Sequence, residues 1–86
     1  MTDVESIRTA VRESVNRITG IPQGDIIDDS SFRDDLGLDS LSALEVMVDI
    51  EYAFKIKVPE ERLQSIQTVR DTITVVLEHL GAVEAS

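Results

Sequence analysis

Gly37-Leu38-Asp39-Ser40-Leu41 places a lone serine between an aspartate and a leucine, just past a glycine and at the head of an apolar-rich run. At or near the first position of a helix, a serine hydroxyl sits where backbone N–H groups point outward and the dipole favours negative charge. A phosphodiester on that oxygen would be stabilised there, and Gly37 would ease the approach of the chain. The same residues also fit a simpler role, with Asp39 or Ser40 acting only as an N-cap. Nucleophilic catalysis fits badly, because it needs a base and an oxyanion hole. The single histidine, His79, falls near the far end of the last helical segment. The acidic cluster Asp25, Asp28, Asp29, Asp34 and Asp35 lacks the calcium-loop spacing, with its central glycine and terminal glutamate. It reads as loop capping and solvation, and no metal site is expected.

The elements that must position Ser40 follow from periodicity. Val4, Ile7, Val11, Val15 and Ile18 recur every three or four residues and form one stripe of an amphipathic helix. Thr2 and Glu5 fit a capping box at its start, and Gly20 with Pro22 marks its end. Residues 21–39 form a long connection rich in turn chemistry. Its Ile21, Ile26, Ile27, Phe32, Leu36 and Leu38 predict a loop packed on the domain. A second helix starts near Ser40 and runs to Ala53 or Phe54, with Ser42-x-x-Glu45 leaving its first turn open by a residue or two. Pro59-Glu60-Glu61 opens a short third helix whose buried side is Leu63 and Ile66. Thr68 to Asp71 resembles another capped start. Val69, Ile73, Val76, Leu77 and Leu80 then form the stripe of a last helix that Gly81 ends. The expectation is an all-α domain over residues 1–82, with three longer helices, a short third one, a long first loop and a frayed tail over 83–86.

Composition narrows the function. Eighty-six residues make one small domain, and the absence of cysteine removes disulfides and thiolate metal sites. The net charge of −9 argues against nucleic-acid binding and against a polybasic membrane contact. An acidic surface steers basic partners, although it also simply keeps a small protein soluble. Met1-Thr2-Asp3-Val4-Glu5 does not read as a signal peptide, and no stretch is apolar enough to span a bilayer. A cytoplasmic monomer is expected.

The second helix is too apolar for one buried face. At about 100° per residue, Val46, Met47, Ile50 and Phe54, with Ala43 and Ala53, share the face that meets the core. Ser42, Glu45 and Asp49 form a polar arc. Leu41, Leu44, Val48 and Tyr52 make a second apolar strip bordered by Glu51 and Lys55. Either the loop with Phe32 and Leu36 covers that strip, or it is exposed and docks partners inside a charged rim.

Together these features resemble the acyl carrier proteins of dissociated fatty acid and polyketide synthases. The matching run is Ser31-Phe32-Arg33-Asp34-Asp35-Leu36-Gly37-Leu38-Asp39-Ser40-Leu41. It continues through Glu45, Val46, Met47, Glu51 and Phe54 to Val58-Pro59-Glu60-Glu61 and Ile66-Gln67-Thr68-Val69. The resemblance implies a right-handed four-helix bundle and a non-catalytic role. It implies that Ser40 receives 4′-phosphopantetheine from coenzyme A through a magnesium-dependent phosphopantetheinyl transferase. Acyl groups would ride on that arm as thioesters. It implies that Asp39, Leu41, Leu44, Glu45, Val48 and Glu51 meet partner enzymes, such as an acyltransferase or a ketosynthase with basic docking patches. Ile50, Phe54, Leu63, Ile66 and Ile73 are candidates to line an acyl groove, or else ordinary core. Tyr52, Lys55 and Lys57 depart from the acidity that fatty-acid carriers show near the end of this helix, which bears on the partners and leaves room for a specialised carrier. A carrier of aminoacyl or peptidyl groups and an unmodified helical interaction module are the alternatives.

Overall fold

Apolar residues at helical spacing, separated by glycine and proline, produce four helices around one core. The computed structural model describes residues 4–85, the last five as helix backbone. α1 is Val4–Thr19, α2 Ser40–Phe54, α3 Glu60–Gln64 and α4 Val69–Ala85. Among the described residues there is no strand, only an isolated antiparallel bridge between Ser31 and Thr68. The architecture is the expected all-α, four-helix arrangement.

The α1 stripe packs as its spacing requires: Ile7, Val11 and Val15 are fully buried, while Val4 is exposed. Gly20 takes a left-handed φ of 82° and donates its N–H to Asn16 O at 2.8 Å, which closes the helix. Thr2 of the expected capping box lies outside the described residues. α1 contacts both α2 and α4, and is the central element of the bundle. The core joins its stripe to Ile26, Phe32, Leu36 and Leu38 of the first connection, Val46 and Ile50 of α2, and Val69, Ile73 and Val76 of α4.

A second, smaller cluster holds α3. Met47, Val58 and Val75 are buried together, with Ile56, Leu63 and Ile66 against them. Five residues cannot sustain a helix alone, so α3 depends on this apolar seat. Ile66 falls just beyond α3, in the turn that leads to α4.

Three local expectations are corrected. Gly81 does not end α4, which continues to Ala85. A helix-interior glycine costs only about 1 kcal/mol relative to alanine, and the alanines and glutamate beyond it are good helix formers. Ala53, assigned to the core face of α2, is exposed, while its neighbour Phe54 still packs against the core. On α4, Leu77 is exposed while Thr72 and Val75 are buried. α4 is covered on two sides, by α1 and by the cluster under α3, so its buried arc is wider than one stripe. The Thr72 hydroxyl remains satisfied, donating to Thr68 O at 3.3 Å.

The first connection is folded rather than draped. Pro22 leads into a 3₁₀ turn at Gln23–Asp25. Phe32 N donates to Gln67 O at 2.9 Å, Val69 N to Ser30 O at 3.2 Å and Arg70 N to Asp28 O at 2.8 Å. These bonds fasten the loop to the α3–α4 turn while Ile26, Phe32, Leu36 and Leu38 enter the core and Ile21 packs against it; Ile27, expected to pack as well, is exposed. Phe32→Ala is therefore expected to cost about 3–5 kcal/mol, as for a buried core phenylalanine. Urea unfolding checks this: a loss below about 1 kcal/mol would mean the loop is only a surface connection.

Candidate functional site

Asp39, not Ser40, caps α2. Its backbone is extended, and its carboxylate accepts the Ser42 N–H at 2.8 Å. Ser40 is thereby released from capping and becomes the first helical residue. Its side chain is exposed and makes no hydrogen bond or ion pair. Gly37, with φ of 68°, supplies the left-handed turn that brings the chain to Asp39. Leu38, buried on one side of that turn, and Val46 and Met47, buried along α2, fix the position of Ser40 from beneath.

The apolar strip of α2 faces solvent. Leu41 is 66% exposed, Leu44 46%, Val48 52% and Tyr52 89%. Phe32 and Leu36 are turned into the core and do not cover it. The strip begins next to Ser40 and follows one side of the helix. Of the two arrangements left open by the sequence, the loop does not cover it and it is exposed.

The acidic residues around it divide into two groups. Glu45 is exposed and unpaired. Glu51 is half-buried, and its carboxylate accepts the Val58 N–H at 2.8 Å. It therefore fastens the α2–α3 connection as well as bordering the strip. Asp49, on the polar arc, accepts from Ser14 Oγ at 2.7 Å and pairs with Arg17, which ties α2 to α1. Three of the five aspartates in the loop cluster are engaged too: Asp28 is forked by Arg8, Asp29 is bound by Arg70, and Asp35 accepts the Ser31 N–H. Among the described residues no three acidic or histidine side chains could hold a metal ion.

Beside Ser40 opens a groove of about 720 Å³ between the first connection, the N-terminal half of α2, and α3 with its following turn. Its apolar walls come from Phe32, Leu38, Ala43, Leu44, Met47, Leu63 and Ile66, and its rim includes Arg33, Asp34 and Glu60. Of the sequence candidates for such a groove, Leu63 and Ile66 line it. Ile50 and Ile73 are buried in the main core, with half-buried Phe54 packed against it. Phe32, Leu38 and Met47 escaped the sequence reading because their role depends on how the long loop folds. His79 is not among the lining residues; its Nδ1 lies 2.9 Å from Val75 O within α4. Nothing pairs it with the Ser40 hydroxyl.

A capped serine left unpaired at a helix start, beside an apolar strip and a groove, describes a carrier more readily than a catalyst. The family model for the phosphopantetheine attachment site matches residues 9–76. An acyl carrier protein of Acidothermus cellulolyticus is 39% identical over 69 residues, covering 80% of this chain and 82% of its own. One of Kineococcus radiotolerans is 33% identical and is covered over its whole length, by 94% of this chain. A solved structure assigned as an acyl carrier protein from Mycobacterium tuberculosis superposes with a TM-score of 0.75 at 31% identity, over 83% of this chain and 95% of that one. The chain belongs to the acyl carrier protein family. It is a carrier, not an enzyme, and the family's prosthetic group is covalently attached 4′-phosphopantetheine.

The Asp39 cap has a pH signature. The Ser42 backbone N–H and then the Ser42 side-chain hydroxyl hold the Asp39 carboxyl below its ordinary value, with desolvation opposing them. A lowered folded-state pKa means that the cap's contribution is complete above the unfolded value of about 3.9 and is lost as pH falls through the folded value. Hydrogen exchange at the Ser42 amide should thus lose protection, beyond the intrinsic pH dependence of exchange, as the solution is acidified below pH ~4. Asp39→Asn, which caps without titrating, should remove that additional loss. The same acid-induced loss in both proteins would contradict the cap assignment.

Proposed function

We propose that Ser40 carries the 4′-phosphopantetheine arm and that this chain delivers acyl intermediates between fatty acid or polyketide biosynthetic enzymes. The observation that carries this reading is the unpartnered Ser40 hydroxyl at the start of α2, capped by its neighbour and lying within the matched family region. When bound, the arm supplies the thiol that this cysteine-free chain lacks, on which acyl groups are held as thioesters. A relative from Mycobacterium leprae, 38% identical over 72 residues, is named a meromycolate extension acyl carrier protein. That name supports an acyl cargo over an aminoacyl one.

The chain's own residues would divide the work. Asp39 holds the helix start so that Ser40 stays presented. Leu41, Leu44 and Val48 form the apolar centre of a small docking surface, and Glu45 gives it charge. A phosphopantetheinyl transferase, an acyltransferase and a ketosynthase would meet this surface briefly, which suits a limited apolar patch with electrostatic steering. Phe32, Leu38, Met47, Leu63 and Ile66 would shelter a tethered chain, at about 0.8 kcal/mol per buried methylene. Ile50, Phe54 and Ile73 back that wall from the core. The domain over residues 1–82 would act as a cytoplasmic monomer.

Incubation with coenzyme A, magnesium and a broad-specificity transferase, followed by intact-mass measurement, tests the attachment. One phosphopantetheine should be added to the wild type and none to Ser40→Ala. No addition, or addition that survives the substitution, would refute it. In the same assay Glu45→Lys should slow loading about threefold at low salt with unchanged helix content, and the difference should shrink as salt rises. Rates independent of both charge and salt would contradict electrostatic docking. Glu51→Lys is a poorer probe, because it also removes the acceptor of the Val58 N–H.

A further inference from the structure

The arginines separate cleanly into engaged and free. Arg8 pairs with Glu5 and Asp28, Arg17 with Asp49, Arg62 with Glu78 and Arg70 with Asp29. Arg12 donates to Ile26 O at 2.8 Å. Of the eight basic residues, all described, only Arg33, Lys55 and Lys57 have no partner in the fold. Lys55 and Lys57 follow the far end of α2. Along a helix rising 1.5 Å per residue they lie roughly 20 Å from Ser40, beyond the screening length at physiological salt. Arg33 alone among the basic residues lines the groove that Ser40 also lines.

The ground beneath Arg33 is fixed although its side chain is not. Asp35 N and Leu36 N both donate to Ser31 O at 3.0 Å, and Leu38 N donates to Phe32 O at 2.8 Å. Buried Phe32 and Leu36 lock the turn on either side. The local field is acidic, with Asp34 on the rim of the groove, Asp35 next along the chain and the ionised Asp39 adjoining Ser40. A phosphodiester on Ser40 would add another negative charge there. The Asp39 carboxylate already takes the Ser42 N–H at the start of α2 and sets its own negative charge beside Ser40, so a further anion there gains from a nearby cation. Guanidinium is the side chain whose planar fork matches two phosphate oxygens.

We propose that Arg33 is a positioning residue for the prosthetic group, its guanidinium engaging the phosphodiester on Ser40 and orienting the arm along the groove. This rests on Ser40 being the attachment point. Nothing in the fold requires Arg33, so its substitution leaves the bundle intact and isolates the contact.

The test uses the full chain, loaded with coenzyme A by a broad-specificity transferase and confirmed by intact mass. Arginine Nε–Hε correlations and the ³¹P resonance are recorded for wild type, Arg33→Gln and Arg33→Lys. Loading should shift the Arg33 Nε–Hε signal, identified by its absence from Arg33→Gln, and leave those of Arg8 and Arg70 in place. Salt of about 0.5 M should reverse the shift. The ³¹P resonance should move in Arg33→Gln and move less in Arg33→Lys, which keeps the charge without the fork. Loaded protein whose Arg33 signal matches the unloaded form, or whose ³¹P resonance ignores Arg33→Gln, would overturn the proposal while leaving Ser40 as the attachment point. A salt-insensitive Arg33 shift would overturn it equally, by assigning the contact to the rest of the arm. Failure of the mass to increase would remove the attachment and this inference together.

Discussion

The pairing of the first connection with the α3–α4 turn is the constraint on which the site depends. Twenty residues, 20–39, separate α1 from α2, and a loop of that length buries backbone that must find hydrogen bonds. It finds them in Gln67 O, in the Val69 and Arg70 amides, and in its own turns. Side chains reinforce the seam from both flanking helices. Arg8 of α1 forks Asp28, Arg12 caps Ile26 O, and Arg70 of α4 holds Asp29. The Arg8–Asp28 pair is largely shielded from solvent, with side chains about one fifth exposed, whereas Arg70–Asp29 is open to it. The first accordingly contributes more than the second. The Arg8 guanidinium, opposed by some desolvation, holds the Asp28 carboxyl below its ordinary range. This part of the seam is present near neutrality and weakens only in acid.

Once the loop is fixed, the site follows with little further cost. Gly37 turns the chain, Asp39 caps α2, and Ser40 emerges with no structural duty. The groove also depends on the seam, because Phe32 and Leu38 form one of its walls. The molecule thus separates residues that hold the fold from residues left for partners. Asp28, Asp49 and Glu51 look like surface acids in the sequence yet are committed to Arg8, Ser14 and Val58. Glu45, Arg33, Lys55 and Lys57 remain uncommitted. An acyl carrier protein needs such a division, since its surface must engage several enzymes while its bundle stays unchanged.

Much of this was legible in the chain. Three-and-four spacing located α1 and α4, Pro59-Glu60-Glu61 located α3, Gly20 marked the end of α1, and the surplus of apolar residues on α2 predicted a second strip that proved exposed. Local chemistry also showed that the loop packs, because Ile26, Phe32, Leu36 and Leu38 have no reason to sit in a solvated linker. What the chain withheld was pairing across sequence distance. Nothing in the spacing joins Phe32 to Gln67 or Arg8 to Asp28. Glu51 read as a rim acid because its partner, the Val58 amide, lies across a turn whose path had to be seen. Val75 and Thr72 were missed for a related reason: one stripe was read where α4 is covered on two sides. Gly81 misled because a helix tolerates glycine when its neighbours favour the helix.

The central claim is that the first connection is a cooperative part of the bundle and holds Ser40 in place. Native-state hydrogen exchange at the Phe32 and Val69 amides tests it most directly. Both should exchange only through near-global unfolding, with protection approaching that of the core amides of α1 such as Val11 and Val15. Exchange of Phe32 and Val69 at the rate of exposed loop amides, with α1 still protected, would show that the seam opens independently and would contradict the account.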